Sequence, residues 1–304
     1  MKALLALLAL VWAAVGVHGL VSYGDSYVTY RGFPPPKDPP GVAHGTLVHE
    51  RFYSRALGGK RSYLVYEPPG YAREAARGRR FPVLYLLHGA PGHPSHFINV
   101  VRGGVVLDKG LHDHRLRPFL MVMPNGSNGT FRNDTEWANT SHGRYEDFVI
   151  EVIRSVDARF ATRPERRFRA IAGDSEGGYG AMNIALHHLD LFATVESWSG
   201  YFFQLPQGVF KDAPPALLLA NEPSYYVRSL GPRLHRYPLH AYIYKGTEEN
   251  ASGIVKARDF AVELRREGAH VTFRVFRGGH NWRLWRAQTP RMLAYASRML
   301  GARG

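Results

Sequence analysis

The chain has 304 residues, 45% of them hydrophobic, enough to build one large α/β domain. Its 39 Lys and Arg against 25 Asp and Glu give a formal charge of +14 at pH 7, with arginines scattered from Arg31 to Arg303. No nucleic-acid-binding motif accompanies that charge, so a nucleic-acid partner is not expected. With no cysteine, disulfides, thiolate zinc sites and cysteine nucleophiles are excluded.

The first segment, "MKALLALLALVWAAVGVHGLVS", sets Lys2 ahead of an apolar stretch from Ala3 to Val17. This is the charged n-region and apolar h-region of an export leader, with small residues Val17 and Gly19 suited to cleavage after Gly19. The rival is an uncleaved membrane anchor, for which about fifteen apolar residues are short. Residues 1–19 are therefore expected to export the protein, to the outside or to the cell envelope. Residues 20–45 follow as a spacer, stiffened by "FPPPKDPPG" from Phe33 to Gly41. Residues 46–304 read as one catalytic domain.

Within that domain "TLVHERFYS" and "KRSYLVYEP" predict a β-hairpin closed at Gly58-Gly59. "FPVLYLLHG" (Phe81–Gly89) and "RPFLMVMPNG" are nearly all-apolar strands, as expected where both faces of a sheet are covered. From Arg144 to Phe160, Phe148, Val149, Val152, Ile153 and Val156 fall on one helical face. A strand near "FATVESWSG", an irregular aromatic segment from Tyr201 to Tyr237, a strand "LHAYIYKG" (Leu239–Gly246) and a helix from Ser252 to Gly268 come next. "HVTFRVF" (His270–Phe276) and a helix near Leu284–Leu300 complete the pattern. This alternation predicts an α/β fold, a mostly parallel central sheet with helices on both faces.

Chemistry concentrates at "AGDSEGGYGA". "RFRAIAG" predicts a strand entering the turn and "EGGYGAMNIALHHL" a helix leaving it, with Gly173, Gly177 and Gly178 at the close approach. Strand, Gly-x-Ser-x-Gly and helix together make Ser175 a candidate nucleophile on a sharp elbow. A serine hydroxyl needs a base. Of 15 histidines, His280 in "RGGHNW" stands on a glycine-bearing loop just after a strand, at the sheet edge where the serine turn also ends. "GTEEN" after the strand Leu239–Gly246 offers Glu248 and Glu249 as the acid that orients the base, the alternative being charges that favour the following helix. The order serine, carboxylate, histidine is that of α/β-hydrolases.

For the oxyanion, one donor is expected from the Glu176 amide and one from "LLHGAPG". Pro91 has no N–H, which favours Ala90 over Gly89 or Gly92. The Glu176 carboxylate would oppose the developing negative charge, so it is expected to point outward. His88, His93 and His96, or His112 with His114, lack a completing carboxylate cluster, so no metal is expected. No phosphate-binding or dinucleotide loop occurs, and no cofactor is expected.

"LLHG", "GDSEGGYGAMN", "SWSGYF", "GTEEN" and "GGHNWRLWR" resemble the esterase D/enterochelin esterase-like α/β-hydrolases, a group with feruloyl esterases and antigen-85 mycolyltransferases. The resemblance runs from about residue 46 to 300. It implies Ser175 as nucleophile, His280 as base and Glu249 as acid, with Glu248 in reserve. The family's common methionine after the serine is replaced by Glu176, which bears on the acyl pocket. A polar loop, Asn133–Asp147, is where substrate contacts are expected, with Trp137 the main candidate against a packing role. Tyr201 and Phe202 are candidates to line an acyl or aromatic groove, and Trp282 and Trp285 to brace the histidine loop. The expected activity is hydrolysis of carboxylic esters, on a small molecule or an envelope or polysaccharide ester. Acyl transfer to a sugar or glycerol hydroxyl shares the same acyl-enzyme, and a non-catalytic envelope-binding role is the remaining rival.

Overall fold

The computed structural model describes residues 22–130, 134–204 and 206–301; the expected leader lies outside them. Residues 22–30 are helical (α1) and 33–39 lie outside regular secondary structure. The hairpin is β1 (Thr46–Ser54) and β2 (Gly59–Glu67), paired antiparallel so that Ser54 faces Gly59. After α2 (Tyr71–Ala76) come β3 (Val83–Leu87), α3 (His96–Asn99), α4 (Gly103–His112) and β4 (Leu120–Pro124). A small pair, β5 (Asn139–Thr140) and β6 (Gly143–Arg144), precedes α5 (Tyr145–Arg159). Then β7 (Arg169–Asp174), α6 (Glu176–His187) and β8 (Thr194–Trp198) follow in sequence. The aromatic segment contains short helices α7 (Pro215–Ala220), α8 (Pro223–Tyr226) and α9 (Gly231–Arg236). The chain ends with β9 (His240–Gly246), α10 (Ala251–Arg266), β10 (His270–Phe276) and α11 (Trp282–Leu300).

The main sheet runs β1-β2-β4-β3-β7-β8-β9-β10, with the hairpin antiparallel and the strands from β4 to β10 parallel. β3, β4, β7 and β8 are buried along their whole length, which explains their near-continuous apolar runs. Alternate residues of each strand feed two cores. Val83, Tyr85, Ile171 and Val195 pack with α5, α6 and α10, while Leu84, Leu86, Ala170 and Ala172 pack with α4 and α11. Helices therefore cover both faces, as the alternation predicts.

Register does the positioning. Leu87 lies opposite Gly173, Gly173 opposite Ser197, and Ser197 opposite Ile243, so the carboxyl ends of four strands finish in nearly one row. The loops that leave this row carry His88, Ser175, Ser199 and Glu249, and the loop after β10 carries His280 beside them.

The stretch expected to be a stiff spacer lies against the domain. The Val28 carbonyl accepts from His96 Nε2 at 3.2 Å, Phe33 lies under the Arg286 guanidinium, and the Gly45 amide donates to both Tyr66 and Asp108. Polar groups on the domain satisfy backbone that the prolines keep out of secondary structure.

Candidate active site

Ser175 sits between β7 and α6 at φ 55°, ψ −120°, a left-handed backbone uncommon for a side chain other than glycine. Its amide donates to the Trp198 carbonyl at 2.8 Å, while its own carbonyl receives the Gly178 and Tyr179 amides. The turn can be this tight only because its neighbours lack side chains. A Cβ on Gly177 would stand 1.9 Å from the Leu87 carbonyl oxygen, and one on Gly173 would stand 2.3 Å from the Gly177 oxygen.

His280 Nε2 lies 2.8 Å from Ser175 Oγ, and its Nδ1 lies 3.2 Å from Glu249 Oε2. Glu249 is held on every side. Oε1 accepts from Ser199 Oγ at 2.7 Å and from the Gly246 amide at 2.6 Å, and Oε2 pairs with the Lys245 ammonium. Burial alone would push this carboxyl up; hydrogen bonding from His280 and the charge and hydrogen bond of Lys245 outweigh it and bring it down to about 2. Glu249 is thus a fixed anion, and its contact selects the tautomer in which Nδ1 carries a proton and Nε2 can accept one. Glu248 is exposed on the same turn, its amide donating to the Gly278 carbonyl. Of the two glutamates left open by the sequence, the structure brings Glu249 to the histidine.

Lys245 and Ser199 escaped sequence reasoning. Lys245 Nζ also donates to the Ser199 and Gly200 carbonyls, 3.2 and 3.3 Å away, and Ser199 Oγ accepts from Trp285 Nε1 at 3.1 Å. The Trp285 ring stands edge-on to His280 and Trp282 edge-on to Trp285, so both tryptophans brace the histidine loop. The available signal was a lysine four residues before Glu249 at the end of a buried strand. A cation there needs an anion.

The loop after β3 abuts the nucleophile turn: a Cβ on Gly89 would meet Ser175 Cβ at 3.0 Å. Burial raises Asp174 to about 7, and the nearby Gly89 backbone opposes that rise. Among the described residues the amides of Ala90 and Glu176 have no hydrogen-bond partner, the condition an oxyanion donor must meet. His88 organises this loop. Gly126 N donates to its Nε2 at 3.1 Å, so Nδ1 carries the proton given to the Gly89 carbonyl at 3.0 Å. Burial holds this imidazole down at about 4, neutral.

Three expectations are corrected. The Glu176 side chain turns inward, not outward: it is 5% exposed and accepts from the Thr135 amide and hydroxyl at 3.0 and 3.1 Å. Burial and the neighbouring Glu136 raise its pKa strongly, which weakens the charge conflict that motivated an outward orientation. Trp137 is fully buried, donates from Nε1 to the His88 carbonyl at 2.9 Å and packs edge-on against the His88 ring, so the packing role prevails. Phe202 is 1% exposed and stacked on Phe260, part of the core because an apolar ring gains more from burial than from lining a wet groove. Tyr201 is half-buried, stacked on Tyr179, with its hydroxyl donating to Glu136 at 2.6 Å.

A mostly parallel sheet with a serine elbow, a histidine and a carboxylate at its carboxyl edge defines an α/β-hydrolase. The chain belongs to the Esterase family, whose model matches residues 54–296. Among curated proteins it is 28% identical over 170 residues to an endo-1,4-beta-xylanase/feruloyl esterase of Xylanibacter ruminicola, covering 56% of this chain and 22% of that protein. It is 31% identical over 162 residues to an esterase of Mycobacterium tuberculosis, covering 51% of this chain and 32% of that one. The chain thus spans a third or less of those relatives. A Caldicellulosiruptor saccharolyticus acetyl esterase is 24% identical over 79% of this chain and 93% of its own length. Of solved structures, a ferulic acid esterase superposes with TM-score 0.74 at 23% identity, covering 84% of this chain and 99% of that one. The Staphylococcus aureus S-formylglutathione hydrolase gives 0.67 at 20%, covering 84% and 100%.

Proposed function

We propose that the chain is an exported carboxylesterase acting through Ser175, His280 and Glu249. The observation that carries this is the 2.8 Å contact from Ser175 Oγ to His280 Nε2, continued through Nδ1 to a carboxylate held ionised. His280 Nε2 takes the serine proton as Oγ attacks the ester carbonyl, and Glu249 stabilises the imidazolium. The Ala90 and Glu176 amides receive the tetrahedral oxyanion, each worth about a hundredfold or more in rate. His280 returns the proton to the departing alcohol, leaving an acyl-serine. Water, deprotonated by the same imidazole, releases the acid.

The histidine side chain is 43% exposed, which gives water a route to the acyl-enzyme and favours hydrolysis over acyl transfer. The names of the relatives suggest acetyl or feruloyl esters on a polysaccharide as substrates. The apolar leader supports a site of action outside the cytoplasm or at the envelope. Incubation with p-nitrophenyl acetate, methyl ferulate and acetylated xylan, with glycerol and trehalose present, tests the reading. Free acid as the product in wild type and no turnover in Ser175→Ala is expected. Acylated glycerol or trehalose would overturn hydrolysis in favour of transfer.

A further inference from the structure

At the end of the sheet opposite Ser175, the segments that enter β3, β4 and β7 converge on a groove of about 570 Å³. Arg79 and Arg80 precede β3, Arg117 precedes β4, and Arg163 and Arg167 precede β7; among the described residues no acidic side chain lines the groove. The guanidiniums are held in place. Arg163 and Arg167 lie 3.3 and 4.6 Å from the centre of the Phe168 ring, and Arg79 lies 5.1 Å from that of Phe81. Arg80 donates to the Thr162 carbonyl and Arg117 to that of Gly301. Among the described residues, the one ion pair to these five is a distant contact of Arg79 with Glu74 at 3.9 Å. A second groove, of about 590 Å³, adjoins the first through Arg117 and Gly301 and adds Arg298 and Arg115, the latter paired with Asp113.

Gathering like charges with so few counter-charges costs free energy that a bound anion would recover. Two adjoining grooves fit a chain better than a single small anion. Among the described residues no large exposed apolar side chain lines either groove, which argues against a bilayer as the partner. Phe81 and Phe168 are buried and capped by arginines, so no free ring remains on which a nucleic-acid base could stack. Guanidinium forks match carboxylates in a bidentate manner. We propose that this double groove binds an acidic, uronate-bearing polysaccharide, at a site remote from Ser175 and filled whether or not the ester chemistry proceeds. The proposal goes beyond the hydrolysis proposed above and does not rest on it.

Biolayer interferometry of the purified protein on immobilised polygalacturonate tests it, with dextran, a single-stranded DNA oligonucleotide and anionic vesicles as comparison surfaces. Binding is expected at low salt, screened by added salt. Arg163→Ser/Arg167→Ser and, separately, Arg80→Ser/Arg117→Ser should each weaken it about tenfold. Arg51→Ser/Arg274→Ser, the same charge loss on the outer strands, should change it less than about twofold. Esterase turnover, unchanged in all three pairs, reports that each variant is folded. Equal weakening by all three pairs would reduce the effect to net charge and overturn the site, as would absence of binding. Tighter binding to DNA or vesicles than to polygalacturonate would overturn the choice of partner.

Discussion

Glu249→Gln separates chemistry from architecture. A glutamine has one acceptor oxygen where Glu249 uses two, each with two donors. With its nitrogen in the Oε2 position it meets His280 Nδ1 and the Lys245 ammonium, both donors; with its nitrogen in the Oε1 position it meets the Gly246 amide. In the first arrangement His280 adopts the opposite tautomer, its proton on the nitrogen facing Ser175, and cannot accept from the hydroxyl. The expected loss in kcat/KM is on the order of 10³- to 10⁴-fold. Lys245, 6% exposed, is left with two carbonyls and no anion, which costs about 3 kcal/mol of stability. Turnover of p-nitrophenyl acetate and urea denaturation read the two effects separately. Adding Lys245→Met should recover most of the stability and none of the activity. The reasoning is refuted if Glu249→Gln keeps more than about a tenth of the activity, or if Glu248→Gln loses as much.

Gly177→Ala would drive a methyl into the Leu87 carbonyl and should cost more than about 3 kcal/mol in urea denaturation, whereas Gly253→Ala, whose Cβ meets nothing closer than 4.0 Å, should be neutral or stabilising. Trp137→Phe should lower stability by about 1–2 kcal/mol by stranding the buried His88 carbonyl, with KM for esters unchanged because the ring offers substrate no surface; a raised KM would restore its substrate role. Glu146 joins His187 and His188, accepting at 3.0 and 2.8 Å, and His187 also faces the Ala220 carbonyl, so both its ring nitrogens donate. Burial would raise Glu146, but the two histidines bring it to about 2; burial would lower His187, but Glu146 holds it above its ordinary value. The glutamate's contribution is therefore complete above pH 4.5 and lost as pH falls toward 2. The histidine's is complete below pH 6.5 and lost as pH rises through its folded pKa. Glu146→Gln should accordingly lose most stability, about 2 kcal/mol, between those limits, and a pH-independent loss in thermal melts would contradict the pairing.

The parts of this molecule legible from its residues were those governed by local rules. Apolar runs marked the buried strands, glycine spacing marked the elbow, and chain order placed a carboxylate and a histidine after successive strands. Tertiary partners were not legible. Whether Trp137 and Phe202 faced substrate or core depended on what stood opposite them, His88 and Phe260, each distant in sequence. Glu176 turned inward because Thr135, on another loop, supplies two donors and because burial raises its pKa and so favours its uncharged form. Lys245 and Ser199 were invisible for the same reason, since their roles exist only once β8 and β9 are paired. The prolines near residue 35 signalled non-regular backbone correctly but carried no information about the surface it lies on.

Mass spectrometry of the intact protein after exposure to a fluorophosphonate, followed by peptide mapping, tests the central claim most directly. The account predicts a single adduct on Ser175, lost in Ser175→Ala and slowed by orders of magnitude in His280→Ala. An adduct that persists in Ser175→Ala, or labelling indifferent to loss of the imidazole, would contradict it.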